Sequence, residues 1–169
     1  VLGIRVRMLH AALKIVRGTS TGKLADAGEE IRELAVRVAR DAPRIEPIAG
    51  QQRPAFVRAR IVEVLRVPGS KGNKVEMSVE RATLSYPRRL PIEDETAATL
   101  DMEGCRLDTA PQPSITTTGD LRLPPWADDA VAKPITPAQH HKEFVVHWSK
   151  LEPGDPLLVY GKVARLPSS

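Results

Sequence analysis

Residues 143–166 read EFVVHWSKLEPGDPLLVYGKVARL, and the quartet Pro153-Gly154-Asp155-Pro156 inside them leaves few ways to fold that stretch. Proline fixes φ near the value a turn needs at its second position, and glycine adopts positive φ at no steric cost. The apolar and β-branched residues on either side then read as two strands, 144–148 and 157–166, forming a hairpin. A second pair of runs, 56–67 and 74–86, flanks Pro68-Gly69-Ser70-Lys71-Gly72-Asn73 in the same manner. Two hairpins imply a small antiparallel β-barrel or sandwich.

In the run 56–67, Val57, Ala59, Ile61, Leu65 and Val67 fall on one face of a strand, and Arg58, Arg60 and Arg66 on the other. Glu63 lands on the apolar face, which predicts a bulge or an edge position beside it. Arg53, Arg58, Arg60, Arg66 and Lys74, with Lys71, could form an anion-binding stripe around this hairpin. A nucleic-acid barrel would add aromatic residues for base stacking, and only Phe56 is near, so a solvated arginine face accounts for these residues with fewer assumptions.

Upstream of the strands the apolar spacing changes. Residues 2–17 fit an amphipathic helix: Arg7, His10, Lys14 and Arg17 share an arc, while Leu2, Val6, Leu9 and Leu13 help fill a wide apolar remainder, with no acid anywhere in the segment. Such a helix suits an anionic membrane surface or a groove in a larger complex, and equally this protein's own sheet. Gly18-Thr19-Ser20-Thr21-Gly22-Lys23 lacks the spacing of a phosphate loop, having three residues between its glycines and Leu24 after the lysine. In residues 23–41, Leu24, Ala27, Ile31, Leu34, Ala35 and Val38 recur at helical spacing, Glu33 and Arg37 lie one turn apart, and Pro43 stops the run. The expected organisation is α+β: an N-terminal helical arm over residues 1–42 and a β domain over 43–169 with a proline-rich insertion at 111–137.

Charge is distributed unevenly. Residues 1–85 carry 16 basic and 9 acidic side chains, and residues 86–169 carry 9 and 12, so the front half is the one suited to an anionic surface. A single cysteine, Cys105, excludes an internal disulfide and any zinc site built on two thiolates. No run of 18 apolar residues exists, so no transmembrane helix is expected. The chain opens Val1-Leu2-Gly3; a removed leader would fit an organellar protein, mitochondrial before plastid, and an internal start would fit as well.

Glu93-Asp94-Glu95, Asp101, Glu103 and Asp108 do not match calcium-loop spacing. A turn at Asp101-Met102-Glu103-Gly104 between strands 96–100 and 105–108 explains them. Six of the 15 prolines fall in residues 111–137, which contain Ile115-Thr116-Thr117-Thr118 as a possible short strand. That segment is an extended arm in which Trp126 can anchor on a partner or on this protein's own β domain. His140, His141 and His147 with Cys105 or Glu143 do not converge in an extended strand. No metal and no cofactor are expected.

The features Thr19-Ser20-Thr21, Asp101, Gly104, Glu143, Leu151, Gly154-Asp155, Tyr160 and Gly161 together resemble the GIDE-type β domain of membrane-anchored organellar ubiquitin ligases and their bacterial and archaeal relatives. The resemblance covers about a third of the chain, without the transmembrane helices or the cysteine-rich RING that accompany the domain there. It implies a non-catalytic β module working at a membrane or on a partner protein.

These readings converge on a non-enzymatic interaction module, an accessory subunit of a larger organellar or membrane-associated assembly. Its contacts would come from Leu2, Val6, Arg7, Leu9, Leu13, Lys14, Arg17 and Trp126, and its partners would be other protein subunits or an anionic membrane. The alternative is an OB-like nucleic-acid-binding domain using the basic hairpin face. An enzyme centred on Cys105 or on the acidic section is the third reading.

Overall fold

The computed structural model describes residues 2–5, 21–26, 31–50, 52–69, 72, 74–118, 121–130 and 143–165. Their strands are β1 (Leu2–Arg5), β2 (Thr21–Gly22), β3 (Ile31–Val38), β4 (Phe56–Pro68), β5 (Lys74–Tyr86), β6 (Arg89–Glu93), β7 (Ala97–Asp101), β8 (Ile115–Thr118), β9 (Glu143–Leu151) and β10 (Pro156–Arg165). Among the described residues, helix is confined to a 3₁₀ turn, Leu24–Asp26, and one short α-helix, α1 (Pro125–Ala130). The α+β expectation is thereby overturned: the fold is mostly antiparallel β.

One sheet runs β10-β1-β7-β6-β3-β2, and β10 also pairs with β3, so five of its strands close into a ring. The expected helix over residues 2–17 begins instead as β1, antiparallel to β10 and parallel to β7; the rest of that segment, with Val6, Arg7, Leu9, Leu13, Lys14 and Arg17, lies outside the described residues. Without β1 the edges of β7 and β10 would carry unpaired backbone groups, and Gly3 disfavours a helix by about 1 kcal/mol relative to alanine. The expected helix over residues 23–41 is corrected likewise. Ile31, Leu34, Ala35 and Val38 satisfy a helical period, but Leu34, Val36 and Val38 also alternate, and all three are buried. Seven residue pairs with β10 settle the choice, because the ladder satisfies the backbone while that face enters the core. Arg37 accordingly reaches Glu93 on β6, at 4.0 Å, and not a residue one helical turn away. Pro91, lacking an N–H, is tolerated in β6 where its carbonyl accepts from Ala39 N at 3.0 Å.

The ring encloses Leu34, Val36, Val38, Leu90, Ile92, Leu100 and Val159, completed by Leu24 from the 3₁₀ turn and by Phe56 and Leu151 from the other sheet. Asp94 fastens Leu24 there: its carboxylate accepts from Leu24 N at 2.8 Å and from Thr96 N at 2.7 Å. Burial alone would raise the Asp94 pKa, yet the backbone N–H donors outweigh it and hold the carboxyl below its ordinary value.

The second sheet is open, in the order β5-β4-β9-β8, with every pairing antiparallel. The β4–β5 hairpin matches the one read from sequence, and its ladder shifts register between Ile61 and Val62, leaving Arg81 as the extra residue. The bulge expected beside Glu63 is therefore present, and it brings Arg81 Nη1 to 3.3 Å from the fully buried Glu63 carboxylate. The expected closing hairpin is different. Its turn forms, with Gly154 at φ 90°, but β9 pairs with β4 and β8 while β10 enters the ring. The turn is instead bonded to β3, through Val38 N to Asp155 O and Gly154 N to Val38 O, both 2.9 Å. No helix among the described residues is long and apolar enough to cross a membrane.

Candidate functional site

Two places in this fold could receive another molecule: one lies at a crossing between the two sheets, the other within the open sheet. The first is a cavity of about 700 Å³ where β9 leaves the open sheet and β10 joins the ring. Leu107, Ala110, Leu151, Leu157 and Leu158 give it apolar walls, and Glu33, Thr109 and Tyr160 are also among the residues that border it. Alternation on β10 sends Val159 inward, so Tyr160 stands on the outer side of the ring, directly across from Glu33 of β3. Both are nearly buried, at 9% and 8% exposure. The hydroxyls of Tyr160 and Thr109 are buried with no hydrogen-bond partner among the described residues. On the opposite wall, Lys150 bonds Glu152 at 2.6 Å and Gln52 at 2.9 Å, and Asp155 accepts from Glu152 N at 2.7 Å.

The cavity's floor is coil, not the strand expected over 105–108. Gly104, at φ 70°, turns the chain after β7, and residues 105–114 then run as coil until β8, with Gln112 N donating to Trp148 O of β9 at 2.9 Å. Cys105 is tied down locally, its thiol donating to Asp101 O at 2.8 Å.

The second place is the outer half of the β4–β5 ribbon. By register, Val57, Ala59 and Ile61 of β4 share a face with Leu84 and Tyr86 of β5 and with Phe144, Val146 and Trp148 of β9. Trp126 and Ala127 of α1 cover the inner half of this face, with Ile45, Ile48, Leu121 and Leu123. Trp126 stacks on Tyr86 at 5.2 Å and donates its indole N–H to Glu46 O at 2.8 Å, so it is planted on this protein's own sheet. Beyond the Glu63–Arg81 pair the same face continues through Leu65, Val79, Met77 and Val75. There Val75 is 48% and Met77 51% exposed, and all of residues 74–78 are exposed.

The opposite face of the hairpin carries Arg58, Arg60, Arg66 and Lys74, as the alternation predicts, but two of these are engaged. Arg66 is bridged to Glu76 at 3.2 Å and to Glu143 at 3.3 Å. Arg58 donates to Cys105 O at 2.6 Å and Met102 O at 3.4 Å, and lies 5.8 Å over the Phe56 ring. Burial pulls its guanidinium below the ordinary value, with the Coulombic effect of Cys105 opposing. Arg53 lies apart in an exposed loop, its carbonyl accepting from Arg44. On the same face, His147 Nδ1 lies 3.0 Å from Ser114 Oγ; His140 and His141 are outside the described residues. Leu2 is in β1, opposite Ala98 and Arg165.

Of the cavity's polar residues, sequence reading singled out Tyr160 only through a family resemblance, and gave Glu33 a place on a helix. Reading β3 as a strand would have put Glu33 among the outward residues, but nothing local marks Thr109. Comparison with family models, with curated proteins and with solved structures finds no match in any of the three.

Proposed function

We propose that this chain is a non-catalytic docking module, an accessory subunit that holds another protein subunit on the apolar face of its β4–β5 ribbon. The observation that carries the reading is the continuation of the core face past its cover, where Val75 and Met77 stand half exposed beyond the buried Glu63–Arg81 pair. A two-stranded ribbon gains little stability alone in water, and an apolar stripe at its tip is what a partner's apolar surface would bury. The charges Lys74, Glu76 and Glu80 lie on the other face of β5, so that on the docking face the residue pairs from Val75 to Met77 carry no charge. The reading agrees with what the GIDE-type resemblance implies, a β module that works on a partner. The basic face serves it less well, since Arg58 and Arg66 are already bonded within the chain.

The test is the size of the native assembly. The wild-type protein is expected to elute within a complex much larger than the free chain, and a Val75→Lys/Met77→Lys variant to elute free with an unchanged melting temperature. A variant that stays in the complex overturns the reading. A dimer of this chain that the variant splits would make the partner a second copy and remove the larger-assembly role.

A further inference from the structure

The ribbon has a free side as well as a free face. β5 is an outer strand of the open sheet, paired among the described residues only with β4. Residues 74–78 are all exposed there, and so is Glu80. Natural folds blunt such an edge with proline or a bulge. From Lys74 to Glu80 there is no proline, and the register shift comes only beyond that stretch, at Arg81. Seven residues of regular strand, KVEMSVE, thus present an edge with no ladder partner among the described residues.

These seven residues are complementary to themselves. Set antiparallel to a second copy about a two-fold axis at Met77, Val75 stands opposite Val79 of the second copy, Met77 opposite its counterpart, and Lys74 opposite Glu80. Glu76 falls opposite Ser78. Charge selects this register. Centring the axis on Glu76 would set two glutamates face to face, and centring it on Ser78 would set Glu76 against Glu80. Lys74 and Glu80 are in no ion pair among the described residues, whereas Glu76 is already bridged to Arg66 at 3.2 Å.

We propose that two copies of this chain pair along the edges of β5 from Lys74 to Glu80, which joins their open sheets and brings the two apolar stripes of Val75, Met77 and Val79 side by side on one face. The pairing goes beyond the docking reading, because it is set by the strand's edge and by charges on the face opposite the docking stripe. A seven-residue strand pair is a small interface, so a dissociation constant of about 0.1 mM is expected and the free chain stays single at micromolar concentration.

Sedimentation of the whole protein from about 5 µM to about 1 mM reads this directly. The wild type is expected to pass reversibly from monomer to dimer. Lys74→Glu and Glu80→Lys each set like charges opposite one another, and each is expected to weaken the dimer at least about ten-fold with an unchanged melting temperature. An equimolar mixture of the two variants is expected to recover an affinity close to that of the wild type, since each altered charge then meets its opposite on the other chain. The pairing is overturned by a wild type that remains monomeric at about 1 mM, by a dimer that either variant leaves unchanged, or by a mixture no tighter than the variants alone. Neither substitution touches Val75 or Met77, so the docking test stands or falls separately.

Discussion

Leu34 of β3 and Met77 of β5 both belong to alternating strands, yet the first is wholly buried and the second is 51% exposed. The difference lies in what surrounds the strand. β3 has neighbours on both sides and a closed ring beneath it. The outer half of β5 is paired only to β4, on the edge of an open sheet whose cover stops near Glu63. The same local alternation thus serves a core in one region and a presented surface in the other. The ring buries its apolar residues, and the ribbon leaves Val75 and Met77 half exposed.

The contrast is broken most severely from the core side. Leu34→Ala is expected to cost about 3–4 kcal/mol by urea denaturation, within the range for a buried leucine left as a cavity, whereas Met77→Ala should stay within about 0.5 kcal/mol. Equal costs would show that the ribbon is part of the core. Trp126→Ala removes the cover of the open sheet together with the Tyr86 stack and the bond to Glu46 O; a loss of about 3 kcal/mol is expected. Arg81→Met strips one partner from the buried Glu63 carboxylate where the cover ends, at an expected cost of about 2 kcal/mol.

A smaller effect concerns pH and the ring alone. The native Asp94 carboxyl titrates below its unfolded value of about 3.9, so in that window the unfolded chain binds more protons than the native one. Its contribution is therefore complete above about pH 4 and is lost as pH falls through the native value. Urea midpoints measured from pH 6 downward should drop more steeply for the wild type than for Asp94→Asn. Identical profiles would remove Asp94 from the account of how Leu24 is held.

What could be read from the sequence follows the same division. The β4–β5 hairpin is a local structure, and its strand limits, its two faces and the bulge near Glu63 all follow from alternation and one misfit carboxylate. The ring is nonlocal. Its residues 31–38 fit both a helical and a strand period, and only the ladder with β10, more than a hundred residues away, decides between them. The Pro153-Gly154 turn was legible as a turn, but nothing in it says that its two strands enter different sheets. The cavity was the least accessible feature, because Glu33, Thr109 and Tyr160 come from two strands and a coil that meet only in the folded chain.

The most direct test of the contrast, and of the docking role proposed from it, is hydrogen–deuterium exchange on the free chain and on the same chain within the proposed assembly. In the free chain the amides of β3 and of Pro156–Arg165 should exchange slowest and those of residues 74–80 fastest among the strands; in the assembly, residues 74–80 should gain protection while the ring stays unchanged. Slow exchange of residues 74–80 in the free chain, or no gain on assembly, would contradict the account.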